Sequence, residues 1–303
     1  MALFGSTLTV NASNHVPQII LTAPLSQEGE IVTDLYVWRH GETEANVAEV
    51  LSGGGDTKAT LTATGQQQAK GLADKITRKG FKLQAIYSSD LPRAMQTAAA
   101  VLAIFPPEKI SSIISAPQLR EILHGKYERI PAEARAKKVA VLFKNELDRI
   151  ESNHKCIQEG IAAGTLDRFH FWKIHPMDGH VVGNDAPIIH VNAYFSNNCQ
   201  EAETAYELYQ RVYAEFVRIA KESQKLGFNE IGVSTHGAVL SSLINAANYG
   251  HKNVFVPLFY QPSAIQRQGE VVMPATAKVG NCALTHFRYW HKSQQLEFCG
   301  IVE

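Results

Sequence analysis

The chain has 303 residues, 45% of them hydrophobic, enough for a large buried core in one α/β domain or two smaller ones. Lysine plus arginine balances aspartate plus glutamate at 29 each, so no net field draws the protein to nucleic acid or to an anionic membrane, and any basic site has to be a local cluster. The four cysteines, Cys156, Cys199, Cys282 and Cys299, are too sparse for a disulfide scaffold and form no Cys-x-x-Cys pair, so a reduced, cytoplasmic setting is expected.

Residues 1–30 are weakly patterned, with short edge strands at 8–10 and 18–22. No basic residue precedes the first apolar residues, so a secretory signal is not expected, and no uninterrupted apolar segment approaches the length of a membrane span. Residues 32–38 form the first strong strand, whose run Leu35-Tyr36-Val37-Trp38 suits a sheet buried on both faces. A loop with Ser52-Gly53-Gly54-Gly55-Asp56 follows. Residues 62–79 read as a helix: Thr62 caps it, Ala69, Leu72 and Ile76 share a face, Arg78 and Lys79 sit in the last turn, and Gly80 ends it. A second strand at 83–87 closes on Ser88-Ser89-Asp90, where Asp90 is expected to cap a helix with Pro92 in its first turn. In that helix Ala94, Ala98, Val101, Leu102 and Phe105 keep helical spacing. A third strand is expected at 112–116, and a helix at 131–150 with Val139, Leu142, Phe143, Leu147 and Ile150 on one side.

Residues 152–200 fit no period; they mix Phe169, Phe171 and Trp172 with histidines and turn signals, and read as an insertion over the site rather than a second domain. Order returns at 202–221, where Ala205, Leu208, Val212, Phe216 and Ile219 share a helix face. A fourth strand at 230–234 runs into Thr235-His236-Gly237 and a helix with Leu240, Leu243, Ile244 and Ala247, and 282–289 and 295–302 alternate like a closing strand pair. The alternation of strand and helix predicts a three-layer α/β/α sandwich, a single domain over 1–303 with an extension at 1–30 and an insertion at 152–200.

Reactive side chains recur at the strand ends. Arg39 and His40 follow the first, Arg93 lies in the first turn after the second, Arg120 and Glu121 follow the third, and His236 follows the fourth, with Gly237 opening a helix. Open α/β sheets bind ligands in the crevice at the carboxyl ends of their strands. A phosphate held there would meet two guanidinium groups, a second imidazole and the positive end of a helix, which together offset the charge of a dianion. A neutral imidazole is a good nucleophile toward phosphorus, so His40 is the expected attacking group. Glu121 would protonate the departing oxygen, then take a proton from the water that hydrolyses the phosphohistidine. His40 has to be neutral for this, and two nearby arginines would lower its pKa. Taken singly, each residue has an ordinary reading: a surface turn for the Arg-His pair, a solvated helix residue for Arg93, a loop glutamate for Glu121, a backbone-bonded buried histidine for His236. Recurrence at four successive strand ends argues against coincidence.

These residues also carry a family resemblance. Arg39-His40-Gly41-Glu42-Thr43, then Asn46, resembles the signature of the histidine phosphatase, or phosphoglycerate mutase-like, superfamily. Leu61-Thr62-Ala63-Thr64-Gly65 is similar to its L-(S/T)-x-x-G helix start, and Ser88-Ser89-Asp90-Leu91-Pro92-Arg93-Ala94-Met95-Gln96-Thr97 to its S-x-x-x-R-A-x-Q-T segment. Leu119-Arg120-Glu121 resembles its L-x-E, Ser234-Thr235-His236-Gly237 its S-x-H-G, and 281–285 its late strand. The resemblance covers 32–125 and 201–290. It implies a six-stranded, mainly parallel sheet and a histidine acid phosphatase-type monoesterase of branch 1. It implies His40 as the phosphorylated residue and Glu121 as proton donor. It further implies Arg39, Asn46, Arg93 and His236 around the phosphate, with Ser52 lining the pocket as in the mutase branch. Neither a metal nor another cofactor is implied, and the expected partner is a small phosphorylated substrate; oligomeric state is not legible.

A phosphomonoester hydrolase is the first reading. A phosphoglycerate mutase-type phosphotransferase is the second, but the mutases carry an adjacent arginine pair downstream of the acid, and this chain has no Arg-Arg dipeptide. A third is a non-catalytic scaffold of the same fold, against which stand the retained His40 and arginines. A metal site built from His170, His175 and His180 is disfavoured, because their spacing of five fits neither a helix face nor a zinc-finger pattern; a lid packed with the neighbouring aromatics is the better account.

Overall fold

The computed structural model describes residues 29–125, 128–131, 203, 205–249 and 279–303. The edge strands expected at 8–10 and 18–22, the helix at 131–150 and the insertion at 152–200 lie outside these residues.

A six-stranded sheet runs in the order β3-β2-β4-β1-β5-β6, with β1 at Val32–Arg39, β2 at Ala85–Ser88, β3 at Ile113–Ser115, β4 at Glu230–Thr235, β5 at Leu284–Trp290 and β6 at Gln295–Val302. The four strands β3, β2, β4 and β1 are mutually parallel, and the closing hairpin is antiparallel. The helices are α1 (Glu44–Val47), α2 (Ala63–Lys79), α3 (Pro92–Leu102), α4 (Ala205–Lys225) and α5 (Gly237–Tyr249), with a short 3-10 turn at Pro117–Leu119. The six-stranded α/β architecture read from the sequence is therefore the one observed; strand ends differ from expectation by a residue or two, as ladder ends do.

Alternation along β1 explains the layers. Leu35 and Val37 face one core, with Leu208, Val212, Phe216 and Ile219 of α4 and Val239, Leu240, Leu243 and Ile244 of α5. Tyr36 and Trp38 face the other, with Leu72 and Ile76 of α2 and Ala98 and Val101 of α3. Successive side chains of a strand point to opposite faces, so one apolar run holds both helix layers. Gly232 of β4 makes room for this arrangement, because a Cβ there would lie 2.7 Å from the Trp38 ring.

Helix ends follow the sequence signals, with one exception. The Thr62 hydroxyl accepts from Gly65 N–H, and Gly80 closes α2 in the left-handed region at φ 71°. Asp90, expected to cap α3, does not: the N-cap is Leu91, with no side-chain cap bond. Its carboxylate instead accepts Nε and Nη2 of Arg120, at 2.6 and 2.5 Å. A bidentate guanidinium offers two charge-assisted bonds where a cap offers one or two neutral donors, so the ion pair wins. Among the described residues no helix is long and apolar enough to cross a membrane.

The chain leaves β1 towards the α2 face and leaves β4 towards the α5 face. Two adjacent parallel strands whose connections depart to opposite sides leave a crevice between their carboxyl ends, and His40 and His236 follow those two ends.

Candidate active site

His40 extends the β1 ladder by donating its N–H to Thr235 O at 3.0 Å, and only 4% of it is exposed. Its ring Nδ1 lies 2.7 Å from Gly41 O. A carbonyl only accepts, so Nδ1 carries the proton and, in the neutral ring, Nε2 carries the lone pair. Burial first, then the charges of Arg93 and Arg39, hold the His40 pKa well below the imidazole range, against the opposing pull of the Gly41 bond.

His236 is fully buried, its ring centroid 5.2 Å from that of His40. Its Nε2 is 2.8 Å from Ser89 Oγ, while its Nδ1 is buried without a partner among the described residues. Burial, then the charges of Arg93, His40, Arg39 and Arg211, also hold it well below the usual imidazole range.

The two arginines differ in how they are held. Arg39 donates Nη1 to Val279 O at 2.9 Å, and its Nε is buried with no partner among the described residues. Arg93, 1% exposed, donates Nη1 to Asp56 O and Nη2 to Gly53 O, each at 3.0 Å. Among the described residues neither guanidinium forms an ion pair. Burial lowers the pKa of both, opposed by the charge of Glu121 on each and of Asp56 and Glu128 on Arg93 from beyond ion-pair distance.

Glu121 borders the same crevice. Its Oε1 accepts Ile122 N–H at 2.9 Å, and its Oε2 accepts Ala238 N–H, in the first turn of α5, at 3.0 Å. A Cβ on Gly237 would lie 3.4 Å from Arg39 Nε and 3.8 Å from Glu121 Oε2, so the glycine at the helix start sits close to both side chains.

Asn46 and Ser52 are occupied in other ways. Asn46 is the third residue of α1 and completes a capping box with Thr43, its Oδ1 accepting Thr43 N–H at 3.1 Å. Asn281 Nδ2 bridges that oxygen at 3.3 Å and the His40 carbonyl at 3.1 Å. With Oδ1 so used, Nδ2 is the end of Asn46 left to donate to a ligand. The Ser52 hydroxyl donates to Asp56 Oδ2 at 2.8 Å, within the loop that holds Arg93.

The structure thus brings Arg39, His40, Arg93, Glu121, His236 and Gly237 to one crevice, and turns Arg120 away from it to Asp90. Three supports escaped the sequence reading. Asn281 ties the His40 backbone to α1. Ser89 meets His236. Glu128 accepts Gly53 N–H at 2.7 Å and Gly55 N–H at 2.9 Å, gripping the glycine loop whose carbonyls hold Arg93. Burial pushes the Glu128 carboxyl up, against the pull of the Gly53, Gly55 and His124 N–H groups. Ser89 and Asn281 stood inside the segments that carry the resemblance without a role assigned to them, and Glu128 stood in an unpatterned loop with no local signal.

A crevice at the switch point of an α/β sheet, lined by two buried guanidinium groups beside a histidine held neutral, is suited to receive an oxyanion. Residues 35–162 match the family model of the histidine phosphatase superfamily (branch 1). The chain is 41% identical over 68 residues to a broad-specificity phosphatase of Saccharomyces cerevisiae, covering 22% of this chain and 29% of that one. It is 32% identical over 122 residues to a metal-independent phosphoserine phosphatase of Arabidopsis thaliana, covering 39% of this chain and 48% of that one. The aligned stretches therefore span less than half the length of these curated relatives. The fold is similar to that of a phosphoglycerate mutase from Bacillus anthracis, with a TM-score of 0.56 and 20% identity over 89% of this chain and 93% of that one.

Proposed function

We propose that this protein hydrolyses a small phosphomonoester through a phosphohistidine on His40. The observation that carries the reading is a pair of buried nitrogens, Arg39 Nε and His236 Nδ1, with no partner among the described residues, beside a His40 whose Nε2 carries the lone pair. A phosphoryl group in the crevice would accept from Arg39, Arg93, His236 and Asn46, and from the start of α5 at Gly237. The donors are fixed before the charge arrives, so they stabilise the transferring group without reorganisation.

In the first step Nε2 forms a bond to phosphorus, the bond to the leaving oxygen breaks, and Glu121 delivers its proton to that oxygen. In the second, Glu121 takes a proton from water, the water oxygen bonds to phosphorus, and the P–N bond breaks, returning the electron pair to Nε2. The missing Arg-Arg pair supports hydrolysis over isomerisation.

The test is chemical trapping. Full-length protein mixed with phosphorus-labelled p-nitrophenyl phosphate and quenched in alkali should yield an acid-labile adduct on His40, absent from His40→Ala, together with release of inorganic phosphate. Phosphate release without that adduct, or with it in His40→Ala, overturns the reading. Primer-dependent isomerisation of phosphoglycerate without net phosphate release would instead make the protein a mutase.

A further inference from the structure

Arg211 lies on α4, among residues that pattern as an ordinary amphipathic helix, yet its guanidinium is aimed at the segment that carries Glu121. Nε and Nη2 each lie 2.7 Å from one carboxylate oxygen of Glu203, forming a bidentate pair with side chains only 19% and 8% exposed. Nη1 donates to Gln118 O at 2.6 Å and Arg120 O at 3.0 Å, and Nη2 reaches Glu121 O at 3.5 Å. Glu203 continues the grip: its Oε2 accepts Leu123 N–H at 3.2 Å, and its own N–H donates to Leu123 O at 2.8 Å.

Peptide planarity carries this grip to the carboxyl. The Glu121 carbonyl and the Ile122 N–H belong to one rigid trans unit and point in opposite directions. Arg211 holds the carbonyl from one side, and the Gly54 backbone packs against it closely enough that a Cβ on Gly54 would lie 2.4 Å from the oxygen. The N–H on the far side donates to Glu121 Oε1. Holding the carbonyl aims the N–H, and the N–H aims the carboxyl.

We propose that Arg211, together with Glu203, is a positioning residue that sets the Glu121 carboxyl for proton transfer. The proposal rests on Glu121 being the proton donor of the reading above. It predicts a defect that depends on the leaving group. p-Nitrophenolate departs without a proton, whereas an alkoxide needs one, so a misaimed carboxyl penalises alkyl esters selectively.

The experiment compares turnover of p-nitrophenyl phosphate and of a simple alkyl phosphate by the full-length protein and by Arg211→Ala, Arg211→Lys, Glu203→Gln and Glu121→Gln. Each Arg211 variant should lose about 30-fold on the alkyl ester and less than about threefold on the aryl ester, the scale of a misplaced catalytic group. Inhibition by inorganic phosphate should stay within about threefold, because the anion pocket itself is intact. If Arg211→Ala does not fold, Arg211→Lys, which keeps the charge but lacks the planar fork, and Glu203→Gln are read by the same ratio. Equal loss on both esters would assign Arg211 a purely structural role and overturn the proposal. If Glu121→Gln lowers the alkyl-to-aryl ratio and the Arg211 variants do not, the positioning role alone falls. If Glu121→Gln leaves the ratio unchanged, the donor reading falls and takes the positioning role with it.

Discussion

His40 links the chemistry to the stability of the fold. Burial and the charges of Arg93 and Arg39 hold its pKa well below 6.5 in the folded protein, whereas in the unfolded chain it titrates near 6.5. Below that pH the unfolded state binds a proton that the folded state refuses, so stability falls as pH falls, by about 1.4 kcal/mol per pH unit for each such histidine. From pH 7.5 to 5.0, an imidazole kept neutral in the fold removes about 2 kcal/mol. His236 adds the same slope. His291, also lowered by burial, acts in the same direction. Glu128, raised by burial, acts in the opposite one, because its contribution is complete below its unfolded pKa and is lost as pH rises through the folded one. A difference between two proteins cancels these other groups. Urea unfolding of the wild type and of His40→Gln, in phosphate-free buffer at pH 7.5, 6.5, 5.5 and 5.0, should show the wild type losing about 2 kcal/mol more over the range. Parallel stability curves would mean that His40 takes up a proton in the folded state, and the argument for a neutral nucleophile would fail.

Arg93→Lys keeps the charge but cannot span Asp56 O and Gly53 O with one planar fork while still offering donors to a phosphate. Its kcat/KM should fall by about 10²–10³-fold, and a loss below tenfold in steady-state assays would remove Arg93 from the anion site. Two glycines of the same helix should respond with opposite signs. At Gly65 a Cβ would stand 2.0 Å from Glu42 O, so Gly65→Ala should cost at least about 2 kcal/mol and displace the loop after His40. At Gly71 nothing among the described residues lies within 4 Å, so Gly71→Ala should stabilise by about 0.5–1 kcal/mol through helix propensity, and thermal melts of both variants check the pair.

Much of the fold was legible because its signals are local. The run 35–38 is apolar on both faces, which only a strand between two layers requires, and Thr62 and Gly80 mark the ends of α2 by chemistry that needs no distant partner. Asp90 shows where local chemistry fails. Its preference for a helix start is real, but Arg120, 30 residues away, offers a better partner once β2 and β3 lie side by side. The candidate site was legible for a related reason. Ligand groups of an open α/β sheet fall at strand ends, and strand ends are visible as breaks in hydrophobic pattern.

The order of residues along the chain placed Arg39, His40, Arg93, Glu121 and His236 at the ends of successive strands. It did not determine that His40 would hold its proton on Nδ1, that Arg39 Nε and His236 Nδ1 would be buried without partners among the described residues, or that Arg211 would grip the backbone beside Glu121. Those properties arise between groups brought together only when β4 slides between β1 and β2 and α4 packs beneath them. Hydrogen bonding and desolvation depend on distance in space, and separation along the chain carries no record of it.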